Sequence, residues 1–284
     1  MRYRNKAISI ISNPGLFILL ILPVWIFPVN GASGAFEERF IPPRALAMGG
    51  VYSVLSTGES ALFGNVASLS FVERVRVDVQ YARPFGLKEL AQSGLTVAIP
   101  NRRVSFGFGI SRFGFSAYEE KLITAGFSKK ILEQISAGIA LRYMSVAITG
   151  YGAASVIGLD AGILIKMTES LNFALVAKNI NSPKVMSNEE PVSPNIKIGF
   201  SYSPHNSVVL VGELQKERDF DKTIRLGAEL ELIKGQYLRF GLSNNPSSFS
   251  MGFGLSMNGA DINFSAVTHQ YLDLSQSLSF GYLF

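Results

Sequence analysis

The 284-residue chain has no cysteine, two histidines and one tryptophan. Without cysteine there is no disulfide framework and no thiolate metal site. His205 and His269 are far apart in sequence, and nothing near either has metal-ligand spacing. No cofactor or metal is therefore expected. The chain also lacks a Gly-x-Ser-x-Gly elbow, a P-loop and a dinucleotide fingerprint. Ser265 and His269 lie four residues apart, so on one strand they share a face but not a height. A nucleophile and its base need matching positions, and no enzyme is expected. Charge is scarce as well, at 17% of residues against about 25% in soluble proteins. No basic patch is interleaved with aromatics as single-stranded nucleic acid would require, so no nucleic-acid partner is expected. Past residue 35 no apolar run reaches the roughly 20 residues that a membrane helix needs. Apolar surface in a membrane would then have to be arranged as strands.

The first 35 residues read as a secretory signal peptide. Arg2, Arg4 and Lys6 precede an apolar stretch from Leu16 to Val29, and Gly31-Ala32-Ser33-Gly34-Ala35 supplies a small-residue cleavage region. Cleavage after Ala35 or after Ser33 fits. The rival reading is an uncleaved anchor, which Pro23 and Pro28 interrupt. These residues carry no acid, so the net charge of +5 falls to near +2 beyond them.

The rest of the chain is rich in one pattern. Fourteen segments alternate from residue 74 onward, near 74–83, 91–99, 104–112, 120–128, 134–145, 155–166, 171–180, 195–203, 207–216, 223–232, 236–243, 248–257, 260–269 and 275–284. In 248–257, Phe249, Met251, Phe253, Leu255 and Met257 oppose Ser250, Gly252, Gly254 and Ser256. Side chains alternate faces with period two, so one face is large and apolar and the other small or polar. That is the lipid-out, lumen-in pattern of a membrane barrel. A soluble sandwich would alternate too, with its apolar face turned to a core. Short links follow the even-numbered segments. Longer ones follow most odd-numbered segments, including Phe113–Glu119, Val146–Ala154 and Asn181–Pro194. Bacterial barrels show this alternation of short periplasmic turns and longer external loops. In the last segment Leu278, Phe280, Tyr282 and the terminal Phe284 share one face. This ending looks like the assembly signal of an outer-membrane barrel, with Phe280, Tyr282 and Phe284 its key residues. The expected architecture is an all-β transmembrane antiparallel barrel of about fourteen strands, residues 74–284, in the bacterial outer membrane.

Residues 36–73 lack sustained alternation. Two runs stand out, Arg44-Ala45-Leu46-Ala47-Met48-Gly49-Gly50 and Ser60-Ala61-Leu62-Phe63-Gly64-Asn65-Val66-Ala67-Ser68-Leu69. Gly49-Gly50 allows positive φ or close backbone approach. The segment is expected to fold into the lumen as a plug, the alternative being a periplasmic tail. Arg44, Gly49, Gly50 and Asn65 are the plug-motif candidates.

These runs resemble the start of the PorV/PorQ family of outer-membrane barrels, themselves related in shape to FadL fatty-acid transporters. That family's Arg-Ala-x-Ala-Met-Gly-Gly-Ala run is matched at Arg44, Ala45, Ala47, Met48, Gly49 and Gly50. Its Ala-Leu-aromatic-x-Asn-Pro-Ala-Gly-Leu run is matched at Ala61, Leu62, Phe63, Asn65, Ala67 and Leu69. Val66 and Ser68 depart from it. The resemblance implies a role in export or surface presentation of secreted proteins, with the Asn181–Pro194 loop as the binding element. The alternative it allows is transport of a hydrophobic small molecule, with Met48, Leu62 and Phe63 lining the pocket. Expected partners are outer-membrane lipid, the barrel-assembly machinery, and either secreted proteins or that hydrophobic molecule. Lumen-facing charge is expected at Arg76, Asp78, Arg142, Asp160, Lys166, Lys178, Arg225, Glu229, Glu231 and Asp261, as mixed-sign pairs bracing the interior.

Overall fold

The structure, a computed structural model, describes residues 36, 38, 40–55, 60–184, 192–218 and 220–284. The signal-peptide reading of residues 1–35 lies outside the described residues.

Fourteen strands form one closed antiparallel barrel. They are β1 Arg76–Arg83, β2 Gln92–Ile99, β3 Ser105–Phe115, β4 Tyr118–Leu132, β5 Ile135–Ile148, β6 Gly152–Lys166, β7 Leu171–Lys178, β8 Asn195–His205, β9 Val208–Glu217, β10 Thr223–Ile233, β11 Gln236–Asn244, β12 Ser247–Met257, β13 Ala260–Val267 and β14 Ser275–Leu283. Every strand pairs with its sequence neighbours. The ring closes between β1 and β14, where Arg76 faces Leu283 and Val79 faces Phe280. All fourteen expected segments are strands.

Alternation sets which side chains face out. On β12, Phe249, Met251, Phe253 and Leu255 are exposed while Ser250, Gly252 and Gly254 are buried. On β3, Phe106, Phe108 and Ile110 are exposed, and on β14 Leu278, Phe280 and Tyr282. The result is a belt of large apolar side chains around the outside. Water would make so large an apolar surface costly, and lipid removes that cost. Among the described residues no helix is long and apolar enough to span a membrane, so the crossing is made by strands.

Two connections differ from expectation. Phe113–Glu119 and Val146–Ala154 read as external loops. Instead β3 and β4 continue to a turn at 116–117, and β5 and β6 to a turn at 149–151. Packing explains this. On the inner face of the extended sheet Met144, Val146 and Val156 pack against Phe36 and Val192, with Tyr118 and Leu122 alongside. At 14 and 15 residues, β4 to β6 exceed the 9–11 needed to cross the bilayer.

The N-terminal segment contributes two short helices, α1 Pro43–Ala47 and α2 Ser60–Phe63, and a 3₁₀ turn, Val66–Phe71. All three pack against lumen-facing wall residues. One cluster joins Ala45, Met48, Val51, Tyr52, Val54 and Leu55 to Leu164, Ala174 and Val211 of the wall. A second joins Ala61, Leu62, Val66 and Leu69 to Ala98 and Ala140. The barrel's core thus lies between its wall and this segment. The segment enters so closely because the wall is cut away opposite it. A Cβ on Gly227 of β10 would stand 2.6 Å from Met48 Cβ, and Gly241 of β11 lies against the Met48–Gly49 backbone. Gly49 itself has φ +73°, and a Cβ there would meet the carbonyl oxygens of Leu242 and Leu226 at 2.6 and 2.7 Å.

Gly227→Val should therefore force the Met48 turn off the wall at a cost of about 1–3 kcal/mol. The midpoint of heat-induced conversion of the folded form, followed by gel mobility, should fall. Ala228→Val, one residue along and facing lipid, should change stability by less than about 0.5 kcal/mol. Equal midpoints for the two variants would contradict this packing.

Candidate functional site

Charge inside the barrel is organised around the N-terminal segment. Arg44 of α1 forms a two-pronged pair with Glu229 of β10, Nε to Oε2 at 2.8 Å and Nη2 to Oε1 at 2.7 Å. Glu229 also accepts from Arg239 Nε at 2.5 Å, and Arg239 donates to Asn263 at 2.9 Å. Planar guanidinium and carboxylate groups match in this geometry. The pairing ties α1 to β10, β11 and β13.

A second group lies toward the long-loop end. Glu213 of β9 accepts from the backbone N–H of Ser53 at 3.0 Å and from Arg225 Nη1 at 3.1 Å, with Lys197 Nζ 3.8 Å away. Lys178 and Lys197 both form ion pairs with Glu38. The Lys197 ammonium also lies 4.3 Å from the centre of the Tyr52 ring, within cation–π range. Lys197 is fully buried, at 0% exposure. A lone buried ammonium would be very costly, so two carboxylates and a ring offset that cost. Burial works against the Glu38 carboxylate, but Lys178 and Lys197 outweigh it and hold its pKa below the usual carboxylate range. Burial, with the Glu38 charge beside it, pushes the Tyr52 phenol well above its ordinary value.

Asn65 fixes the next turn. Its amide donates to the carbonyls of Ser53 at 2.9 Å and Ile163 at 3.1 Å, and its Oδ1 accepts from Ala67 N–H at 3.1 Å. One side chain thereby caps the 3₁₀ turn and binds two stretches of the segment to β6. A separate triad closes the barrel seam, with Arg76 bonded to Asp78 at 2.7 Å and Asp261 at 2.6 Å.

Above this packing, at the long-loop end, lies a cavity of about 40 Å³. Phe36, Glu38, Phe40, Tyr52 and Phe63 of the segment form one side of it; the wall supplies Phe113, Leu122 and Met144 together with the polar or charged Gln92, Ser111, Arg112, Glu120, Lys121, Arg142 and Lys178. Phe40 and Phe63 pack with ring centres 4.5 Å apart.

Of the ligand-lining candidates, Phe63 borders this cavity. Met48 and Leu62 do not: Met48 lies against Gly227 and Gly241, and Leu62 against Gly107, Gly109 and Gly126. Arg44, Gly49 and Asn65 all contact the wall, and Gly50 (φ +83°) sits beside the Arg225 side chain. Phe280, Tyr282 and Phe284 face outward and are exposed. The loop expected to bind secreted proteins, 181–194, has residues 185–191 outside the described set. Glu38, Lys197, Glu213 and Arg239 are additions to the expected residues. Three of them were readable: Lys197 lies between Ile196 and Ile198, Glu213 between Gly212 and Leu214, and Arg239 between Leu238 and Phe240. Polar positions flanked this way face the lumen. Glu38 has no periodic context and carried no such signal.

No protein-family model matches the chain, and no curated protein matches it either. Solved structures do. The toluene transporter TbuX of Ralstonia pickettii aligns over 85% of this chain and 98% of its own, at 11% identity and a TM-score of 0.65. The CymD monoaromatic hydrocarbon channel aligns over 86% and 97%, at 13% identity and 0.66. The Pseudomonas putida toluene transporter TodX aligns over 85% and 98%, at 13% and 0.63. The fold is the one these three barrels share. At these identities the likeness is one of fold. With the closed barrel and apolar belt, it places the chain in the bacterial outer membrane. None of these three structures is described as a PorV/PorQ protein, so that resemblance rests on the sequence motifs.

Lys197→Ala should cost about 3–5 kcal/mol, because it strips a partner from buried carboxylates. Lys222→Ala, an exposed residue, should change stability by less than about 0.5 kcal/mol. Thermal melts of the two variants check this. A pH series of wild type against Glu38→Gln tests the ion pairs. The Glu38 pKa is depressed in the fold, so its contribution is complete above the ordinary value of 4.5 and is lost as pH falls below it. The gap in melting temperature should stay constant from pH 8 to about 5 and shrink further down. A gap that shrinks at neutral pH would contradict the assignment.

Proposed function

We propose that this barrel moves hydrophobic small molecules across the outer membrane and that the 36–73 segment gates the passage. The observation that carries the reading is the cavity at the long-loop end. Four phenylalanines, Leu122, Met144 and Tyr52 give it an apolar side among charged and polar neighbours, and a third of its lining belongs to the inserted segment. Small-molecule sites are typically concave and largely apolar with a few placed polar groups. An apolar solute would shed its hydration against those rings, at roughly 25 cal/mol per Å² of buried surface. The barrels named above, two described as toluene transporters and one as a monoaromatic hydrocarbon channel, support the same substrate class.

The cavity ends on the packed segment. At about 40 Å³ it is smaller than the roughly 150 Å³ that holds a benzene molecule. Passage therefore requires the segment to shift, and the contacts that resist this are its apolar packing on the wall and the Arg44, Glu38 and Asn65 attachments. Each polar attachment is local, so it can break without unpairing any strand. In this reading Phe63 and Phe40 line the ligand path, while Met48 and Leu62 anchor the moving part.

Cells expressing the protein should take up radiolabelled toluene faster than cells without it, and uptake of a polar sugar of similar size should be unchanged. Phe63→Asp should lower toluene uptake several-fold while leaving the folded gel form intact. Faster sugar uptake with unchanged toluene uptake would overturn the proposal.

A further inference from the structure

The short-turn end carries a feature that hydrophobic transport does not use. A cleft of about 940 Å³ opens there, with Phe71 and Val72 at its base. Lys130 and Lys166 occupy inward-facing positions at the ends of β4 and β6. Their ammonium groups lie 5.3 and 3.9 Å from the centre of the same Phe71 ring. Arg102 and Arg103, on the turn between β2 and β3, also line the cleft and are exposed.

This arrangement holds positive charge together against its own repulsion. Two ammonium groups share one ring face system, with two guanidinium groups at the same opening. Among the described residues no carboxylate lies within ion-pair distance of Lys166. The only ion pair made by Lys130 is with Glu133, 3.9 Å away and 93% exposed. An exposed pair of that length contributes little. The ring attracts each cation but does not neutralise either. By contrast, the buried or half-buried cations Lys178, Lys197, Arg225 and Arg239 each have a buried or half-buried carboxylate partner. Glu73 and Glu133 line the short-turn cleft, so its four basic side chains, Lys130, Lys166, Arg102 and Arg103, outnumber its carboxylates two to one.

We infer that the short-turn mouth binds a phosphate group, held between Lys130, Lys166, Arg102 and Arg103. Phosphate suits this set because arginine forks bind its oxygens in pairs and lysines add point charge. The cleft has the size of a small-molecule site and opens toward the periplasm, where the short turns lie. The phosphate could be supplied by a soluble organophosphate or by the headgroup of an inner-leaflet phospholipid. The inference does not depend on the transport reading.

The test uses the full chain purified in a non-ionic detergent. Titration calorimetry measures sn-glycerol 3-phosphate binding, and native mass spectrometry measures retention of phosphatidylglycerol against a neutral glycolipid. Binding should weaken about tenfold or more in Lys130→Ala/Lys166→Ala, as loss of charge-assisted bonds predicts. It should also weaken as salt rises from about 0.05 to 0.5 M. Glycerol 3-phosphate binding with this pattern assigns the site to a soluble organophosphate. Phosphatidylglycerol retention with this pattern, without glycerol 3-phosphate binding, assigns it to the headgroup. If the double variant does not fold, Arg102→Ala/Arg103→Ala on the exposed turn carries the same comparison. Neither probe binding, or binding unchanged in a folded variant, would overturn the inference.

Discussion

Backbone hydrogen bonding in lipid is the constraint on which everything else depends. Hydrocarbon offers no partner to an N–H or C=O group, and each unpaired one costs several kcal/mol. Fourteen strands satisfy this only because β1 finds β14. At that seam Arg76, Asp78 and Asp261 hold three strands together from inside. Closure in turn fixes two faces. The outer one has to be apolar, and the inner one is free to carry glycine, serine and charge.

The inner face is where this barrel acquires its particular character. Small wall residues leave room, and the N-terminal segment occupies it with its backbone against the sheet. The segment supplies most of the buried apolar side chains, from Phe36 to Val72, spread over short helices and turns. Its attachment is shared with polar links at Arg44, Glu38 and Asn65. Apolar packing is non-directional, whereas a two-pronged guanidinium pair sets position and orientation together. The combination gives an insert that is well placed and yet held by contacts that can separate individually. That is the physical basis for assigning it a gating role.

The two ends of the lumen differ in chemistry. The long-loop end has aromatic walls, and its buried charges are paired. The short-turn end opens into a polar cleft whose four basic side chains outnumber its two carboxylates. A molecule crossing from one to the other leaves an apolar surface for a wet, cationic one. Export of secreted proteins would instead draw on the external loops, and the contacts described inside the barrel bear on it little.

By itself the sequence determined the strand count, the face that each strand turns to lipid, and most of the lumen-facing charges. The reason is that these follow from period two along a single strand: Phe249 and Ser250 declare their sides without reference to anything distant. Even Lys197, Glu213 and Arg239 were open to that reasoning. Tertiary structure alone decided the rest. Val146–Ala154 became mostly strand rather than loop, with Phe36 and Val192 packed against Val146 on its inner face. Glu38 became a partner of Lys178 and Lys197, residues 140 and 159 positions away. Met48 met Gly227 and Gly241 instead of a cavity. Such pairings depend on how closure folds distant strands around one lumen, and no local pattern encodes them.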